Sequence, residues 1–178
     1  MVDAEDTIML MYTRPAQPED FPAIWAAFQD GVAYLGEQGA SQWQGEGAPD
    51  KALFEKDIAN GWGIVLIYDG QVAGYGSLVP GPEAEYEILQ GEWVGDEPEY
   101  VAIHRVTINS HIRGKGVGKT LTRDLVNLAR ARGYRDIRID TFPENIIMQN
   151  VITKTDFTYR GMVPFEFGDR LGYQLLVD

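Results

Sequence analysis

The 178-residue chain contains no cysteine. That excludes disulfide frameworks, thiolate metal sites and a cysteine nucleophile, and it suits a reducing compartment. Long apolar runs are missing too. Runs such as Ile64 to Tyr68 are far short of the roughly 20 residues that a bilayer-spanning helix needs. Positive charge is scarce: 15 Lys and Arg stand against 27 Asp and Glu, a net charge of -12. This argues against a general affinity for nucleic acid or anionic membrane. Met1 to Asp6 carries three acids and no base, so it lacks the positive start of a secretory signal. A cytoplasmic location is the expectation.

What is present is an ordinary globular composition, 44% apolar, 24% charged and 11% aromatic, in a length that fits one domain able to bury its own core. The charge is unevenly placed. Asp57 to His104 holds nine carboxylates and no Lys or Arg, densest from Glu83 to Glu99. Arg105 to Arg138 then holds nine basic residues against Asp124 and Asp136. A basic segment in an acidic protein reads either as a solvated helix face or as a site for a polyanionic ligand.

Periodicity and turn chemistry predict the elements. Ile8 to Arg14 reads as a strand, and Pro18, Glu19 and Asp20 open an amphipathic helix running through Ile24, Trp25 and Phe28 toward Leu35. Gly36 to Pro49, with Gln42-Trp43-Gln44, reads as a loop, and Asp50 caps a short helix. Ile64 to Tyr68, Asp69-Gly70 and Val72 to Val79 form a hairpin pattern. The acidic stretch to Pro98 reads as an excursion between strands. Tyr100 to Ile108 is strand-like, Val117, Leu121, Leu125 and Leu128 mark a helix, and Asp136 to Thr141 alternates as a strand. Pro143 to Lys154 looks helical, and strands are expected near Thr158 to Phe167 and Leu171 to Val177. Partial alternation with hairpins at both ends predicts an α/β fold of the α+β kind: a central mixed, twisted sheet with helices on both faces.

The segment Arg113-Gly114-Lys115-Gly116-Val117-Gly118-Lys119-Thr120 lies between a strand and a helix. A Walker A loop needs Gly five positions before Gly118, where Arg113 stands, so an NTP-binding module is disfavoured. Neither frame of G-x-G-x-x-G fits. What remains is Arg-x-x-Gly-x-Gly at a helix N-terminus, where backbone N–H groups favour a diphosphate. The plain alternative is a tight strand-to-helix turn.

This loop resembles the pyrophosphate loop of the GNAT superfamily of acyl-CoA-dependent N-acyltransferases. Ile103-His104-Arg105-Val106-Thr107-Ile108 is similar to that family's central strand, and Asn145, Met148, Val151, Lys154 and Phe157 match its last-helix pattern. The resemblance covers nearly the whole chain, a single domain over 6–178, and is nearest to uncharacterised bacterial members with the same Gln-Trp-Gln loop and His-Arg-Val strand. It implies transfer of an acetyl group from acetyl-CoA to a primary amine by direct attack in a ternary complex, with no metal.

The resemblance also implies roles. The backbone of Val106, Thr107 and Ile108 pairs with the pantetheine arm and offers an N–H to the oxyanion. Arg113, Gly114, Lys115, Gly116, Val117, Gly118 and Lys119 hold the pyrophosphate, and Asn145 contacts the pantetheine or thioester region. Lys119, Arg123 or Lys154 meets the 3′-phosphate. Family members often carry Glu nine positions before the loop Arg; here that position is His104, a residue suited to act as base. A hydrogen-bonded structural histidine is the alternative, and His111 is expected at the surface.

Two departures stand out. The Tyr expected seven residues after Asn145 is Ile152, which leaves the general acid unassigned, and Asp156 occupies a position where Gly is common. The acceptor site is expected near Tyr34, Trp43, Gln44 and the acidic excursion, and the acceptor is a small-molecule amine or a peptide. A homodimer is left open. A non-catalytic acyl-CoA sensor or interaction domain is the alternative, favoured by Ile152 and opposed by His104.

Overall fold

Eight strands form one sheet in the order β1-β2-β3-β5-β6-β8-β7-β4 in the computed structural model, which describes residues 10–178. The first residues of the domain expected over 6–178, and Ile8 and Met9 of the first expected strand, lie outside the described residues. The strands are β1 (Met11–Pro15), β2 (Gly63–Tyr68), β3 (Gln71–Pro80), β4 (Gln90–Gly91), β5 (Tyr100–Ile108), β6 (Asp136–Thr141), β7 (Thr158–Val163) and β8 (Arg170–Leu176). The helices are α1 (Phe21–Glu37), α2 (Lys51–Ala59), α3 (Ala84–Glu87), α4 (Val117–Ala131) and α5 (Ile146–Thr153). All strand pairs are antiparallel except β5 with β6.

Local chemistry accounts for most of these elements. The β2–β3 hairpin turns through Asp69 (φ 50°) and Gly70 (φ 72°), the paired left-handed residues that match the twist of the flanking strands. Asp50 accepts from Leu53 N at 2.9 Å and caps α2. Asp156 is left-handed at φ 70°, the backbone state that Gly adopts most readily and Asp tolerates.

Helices cover both faces. Leu121 and Leu125 of α4 and Ile152 of α5 pack with Ile64, Leu66, Val101 and Ile103. On the other face, Ile24 and Phe28 of α1 and Phe54 of α2 pack with Val65, Ile67 and Tyr75. The acidic excursion covers the rest of that second face: Tyr86 of α3 packs with Tyr100, Ala102 and Val163, and β4 pairs with β7 at the far edge.

Two irregularities in β5 position the site. Its pairing with β6 stops at Ile103↔Ile139 although β5 continues to Ile108, so the strands part there. At the same level a bulge intervenes, with Tyr75↔Thr107 followed by Ser77↔His104 and Arg105 at φ 54°. The extra residue shifts the alternation by one. Val101, Ile103, Val106 and Ile108 therefore face α4, while the consecutive side chains of His104 and Arg105 both point to the α1–α2–α3 face.

Candidate active site

Where β5 and β6 part, two cavities open, one of about 590 Å³ and one of about 550 Å³, and both are bordered by Trp43, Val106, Asn145 and Met148. They meet at these four side chains, between β5 and the N-terminus of α5.

The larger cavity is bordered by the β5 edge from Val106 to Ile108, by Arg113, Gly114 and the residues from Gly116 to Lys119, and by Asn145. Gly114 and Gly116 are left-handed, at φ 82° and 74°, and a Cβ on either meets nothing within 4 Å. The loop is thus open to a ligand, and the first N–H groups of α4 have no helical acceptor. Lys115 does not border the cavity; its Nζ lies 5.2 Å from the Tyr68 ring centroid. Arg113 stacks 4.3 Å over Tyr34 and lies 3.6 Å from Asp30. Asp30 also accepts from Ser110 N at 3.0 Å; hydrogen bonding to Ser110 and then the Arg113 charge hold its carboxyl below the ordinary range. Of the candidates for a 3′-phosphate, Lys119 and Lys154 border the cavity and Arg123 does not. Asn145 caps α5, accepting from Met148 N at 3.0 Å and donating to Gln42 at 2.8 Å. The cap fixes it at the junction of the cavities.

The second cavity contains His104 and much that the sequence did not single out. His104 Nε2 is 2.8 and 3.0 Å from the two oxygens of Glu83, and Nδ1 is 3.7 Å from Asp140 Oδ2. Asp140 in turn accepts from Tyr86 at 2.8 Å and from Arg170 at 3.1 Å. Burial, then the nearby Asp140 and Glu83 charges, push the Tyr86 phenol well up, so it remains a donor to Asp140. Arg105 grips the buried Asp57 through Nε at 2.7 Å and Nη2 at 2.9 Å, with Tyr75 donating to the same carboxylate at 3.0 Å.

Five carboxylates border this cavity: Glu46, Asp50, Glu83, Glu85 and Asp140. Arg105 and Arg170 also border it, but each is already bonded to an aspartate. The unpaired charge is therefore negative, and Glu46, Glu85 and Asp50 carry it.

The residues expected at the acceptor site separate. Trp43, held at φ 61° and packed 5.0 Å from Phe28, borders both cavities. Tyr34 borders only the loop cavity, because α1 runs past the loop and places the ring beneath Arg113. Gln44 borders neither; its amide is turned back onto Val32 O (3.0 Å) and Gln42 O (3.1 Å), closing the loop after α1. Glu87 and Glu92 of the acidic stretch are exposed away from the cavity. Ile152 is fully buried in the core, and neither Tyr159 nor Tyr173 borders either of these two cavities. Among the described residues no group of three or more His, Asp or Glu is placed to hold a metal ion, and no helix is long and apolar enough to cross a membrane.

Glu83, Asp140 and Arg170 were missed because they come from three separate segments. Glu83 is one of seven acids between Glu83 and Glu99, and nothing local marks it as the one that meets His104.

Comparison with known proteins agrees with this architecture. The pattern of the acetyltransferase (GNAT) family matches residues 21–157. A GNAT-family acetyltransferase from Streptococcus agalactiae is 33% identical, over 94% of this chain and 96% of that one, with a TM-score of 0.85. One from Listeria monocytogenes is 20% identical over 94% and 95%, with a TM-score of 0.72. A protein from Salmonella typhimurium, solved with its cofactor acetyl-CoA, is 22% identical over 94% of each chain, with a TM-score of 0.66. No curated protein matches. The parted strands, the bulged β5, the glycine loop at the start of α4 and the family match together place this chain in the GNAT acetyltransferase family.

Proposed function

We propose that the protein transfers an acetyl group from acetyl-CoA to a primary amine of a small acceptor by direct attack in a ternary complex. The observation that carries this reading is the meeting of the two cavities at Trp43, Val106, Asn145 and Met148. A thioester reaching the junction from the loop side and an amine arriving from the acidic side are brought to reacting distance, which removes most of the entropic cost of a bimolecular encounter. The fold itself supports acetyl-CoA-dependent acyl transfer, and a relative of the same fold holds acetyl-CoA.

The residues present suit that donor. The open loop from Gly114 to Lys119 and the α4 N-terminus receive the pyrophosphate, Lys119 or Lys154 meets the 3′-phosphate, and the Val106–Ile108 edge lies along the pantetheine arm. When bound, the donor supplies an activated carbonyl and a thiolate leaving group.

The acceptor arrives as an ammonium, drawn by Glu46, Asp50, Glu83 and Glu85. His104, directly or through one water, takes the proton that must leave before or during attack. Glu83 and Asp140 hold its ring from opposite sides. An N–H of the β5 edge stabilises the negative charge that grows on the carbonyl oxygen. Among the described residues the one tyrosine bordering either cavity is Tyr34, held under Arg113, so the thiolate departs without a tyrosine acid.

The test is release of free thiol from acetyl-CoA on addition of a panel of amines, beside calorimetry with CoA and ATP. Amine-dependent thiol release and a preference for CoA are expected. CoA binding with no thiol release for any amine would leave an acyl-CoA sensor instead.

A further inference from the structure

Two arginines of this protein are stacked between pairs of aromatic rings, and they differ in one respect. Arg138 lies 3.7 Å from the Tyr100 centroid and 4.4 Å from that of Trp93, and its Nε and Nη2 both donate to Asp136, at 3.1 and 2.7 Å. Arg170 lies 3.9 Å from Phe165 and 4.9 Å from Phe142. Its Nη1 donates to Asp140, but its Nε is buried and has no partner among the described residues. Arg105, the other arginine bordering the acceptor cavity, has its Nε and Nη2 on Asp57. Stacking fixes the plane of a guanidinium and leaves its in-plane donors to be used sideways, in the fork that matches a carboxylate.

A second unpartnered donor borders the same cavity from the other face of the sheet. Thr141 is 2% exposed, its neighbour in the sheet is Leu171, the residue after Arg170, and its Oγ1 likewise has no partner among the described residues. Thr141 and Arg170 both border the acceptor cavity. Buried donors without partners are costly; Arg170 shares its face of the sheet with Asp140 and His104 at the cavity of about 550 Å³, whereas Thr141 faces the α4 side with Leu171.

We propose that Arg170 binds a carboxylate carried by the acceptor, so that the substrate is an amino acid or a similar small amino-carboxylate. The proposal rests on the acyl-transfer reading of this site. One guanidinium has five donors, so Arg170 serves Asp140 and the incoming carboxylate together. The unpaired acids Glu46, Asp50 and Glu85 meet the ammonium end, and His104 faces the nitrogen that reacts. Charge of both signs in one cavity suits a zwitterion. A diamine would satisfy the acids and leave Arg170 as it is.

The test compares the twenty protein amino acids with their α-amides, and with butylamine and 1,4-diaminobutane, as acceptors by thiol release and as ligands of the CoA-saturated protein by calorimetry. At least one acid should exceed its amide and both amines by about tenfold or more, the scale of a charge-assisted bidentate contact. Arg170→Lys, which keeps the charge and loses the fork, should bring that acid-to-amide ratio toward one, while Thr141→Val, on the other face of the sheet, should leave it unchanged. The acid-to-amide ratio of the parent protein keeps the comparison available if the arginine variant does not fold. The proposal is overturned if no acid is preferred in either assay, or if the preference survives Arg170→Lys. Preferred binding of acids without thiol release defeats acyl transfer but supports the carboxylate site. Thiol release with carboxylate-free amines alone does the reverse.

Discussion

Glu83 Oε1 lies 2.8 Å from His104 Nε2, across 21 residues of chain. The glutamate comes from the acidic excursion just ahead of α3 and the histidine from mid-sheet, so the contact joins the lid over one half of the sheet to the bulged strand beneath it. Asp140 lies 3.7 Å from Nδ1 on the other side of the ring, at the border of the second cavity.

His104→Ala is expected to lower kcat by about 10²–10⁴, the range for loss of a positioned base, and to leave CoA affinity unchanged. Glu83→Gln should lower kcat by less, again with unchanged CoA affinity. Steady-state kinetics together with CoA calorimetry check both. Unaltered turnover in His104→Ala returns the residue to a structural role.

Gly116→Val tests the loop. A Cβ there has room, but the φ of 74° disfavours any L side chain, at a cost of about 1–2 kcal/mol. The side chain would occupy the space assigned to the pyrophosphate. Circular dichroism should show the fold intact, and calorimetry should show CoA binding weakened well beyond the small stability loss.

The acids of the excursion divide by position. Glu85→Gln with Glu46→Gln should raise KM for the acceptor and flatten its salt dependence, since both border the cavity. Glu87→Gln with Glu92→Gln, both exposed elsewhere, should change neither. If the second pair has the effect of the first, steering comes from overall charge.

Asp57 is 2% exposed at its side chain and holds Arg105 at the bulge. Asp57→Ala leaves that guanidinium without its buried partner and should destabilise the protein by about 3–5 kcal/mol, read from urea unfolding. Turnover should fall as well, because Arg105 follows His104 directly.

Hydrogen bonds from Arg14, at 2.7 and 2.8 Å, hold the Asp20 carboxyl below the ordinary range. A lowered folded pKa means stabilisation that is complete above the unfolded value of about 3.9 and lost as pH falls through the lower folded value. Asp20→Asn should therefore unfold more readily than the parent at pH 6. The two should converge as the pH falls below the folded value, the measurement being thermal unfolding across a falling pH series.

The order of elements, the Asp69-Gly70 turn, the cap at Asp50 and the glycine loop before α4 could all be read from the chain. Each depends on neighbours within a few residues: side-chain periodicity, a left-handed turn pair, a helix end. The same locality explains why Tyr34 and Gln44, expected beside Trp43, lie apart from the second cavity. Both sit near Trp43 in sequence, but α1 carries one beneath the loop while the turn after it folds the other back onto its own backbone. Asp156 shows a partial case, since its left-handed backbone became visible only in three dimensions.

By itself the sequence determined the fold class, the glycine loop at the start of α4 and the place of His104 on β5, because those are written in local patterns along one strand and one helix. Only the tertiary structure decided what surrounds His104. Glu83 reaches it through an excursion whose strand β4 is anchored to β7, with Gln90 opposite Met162. Asp140 comes near it from β6, and the β6–β8 pairing, with Asp140 opposite Gly172, brings Arg170 to Asp140. Pairings between residues so distant in the chain depend on how the whole sheet assembles, and the extra residue at Arg105 then reverses which side chains of β5 face the cavity.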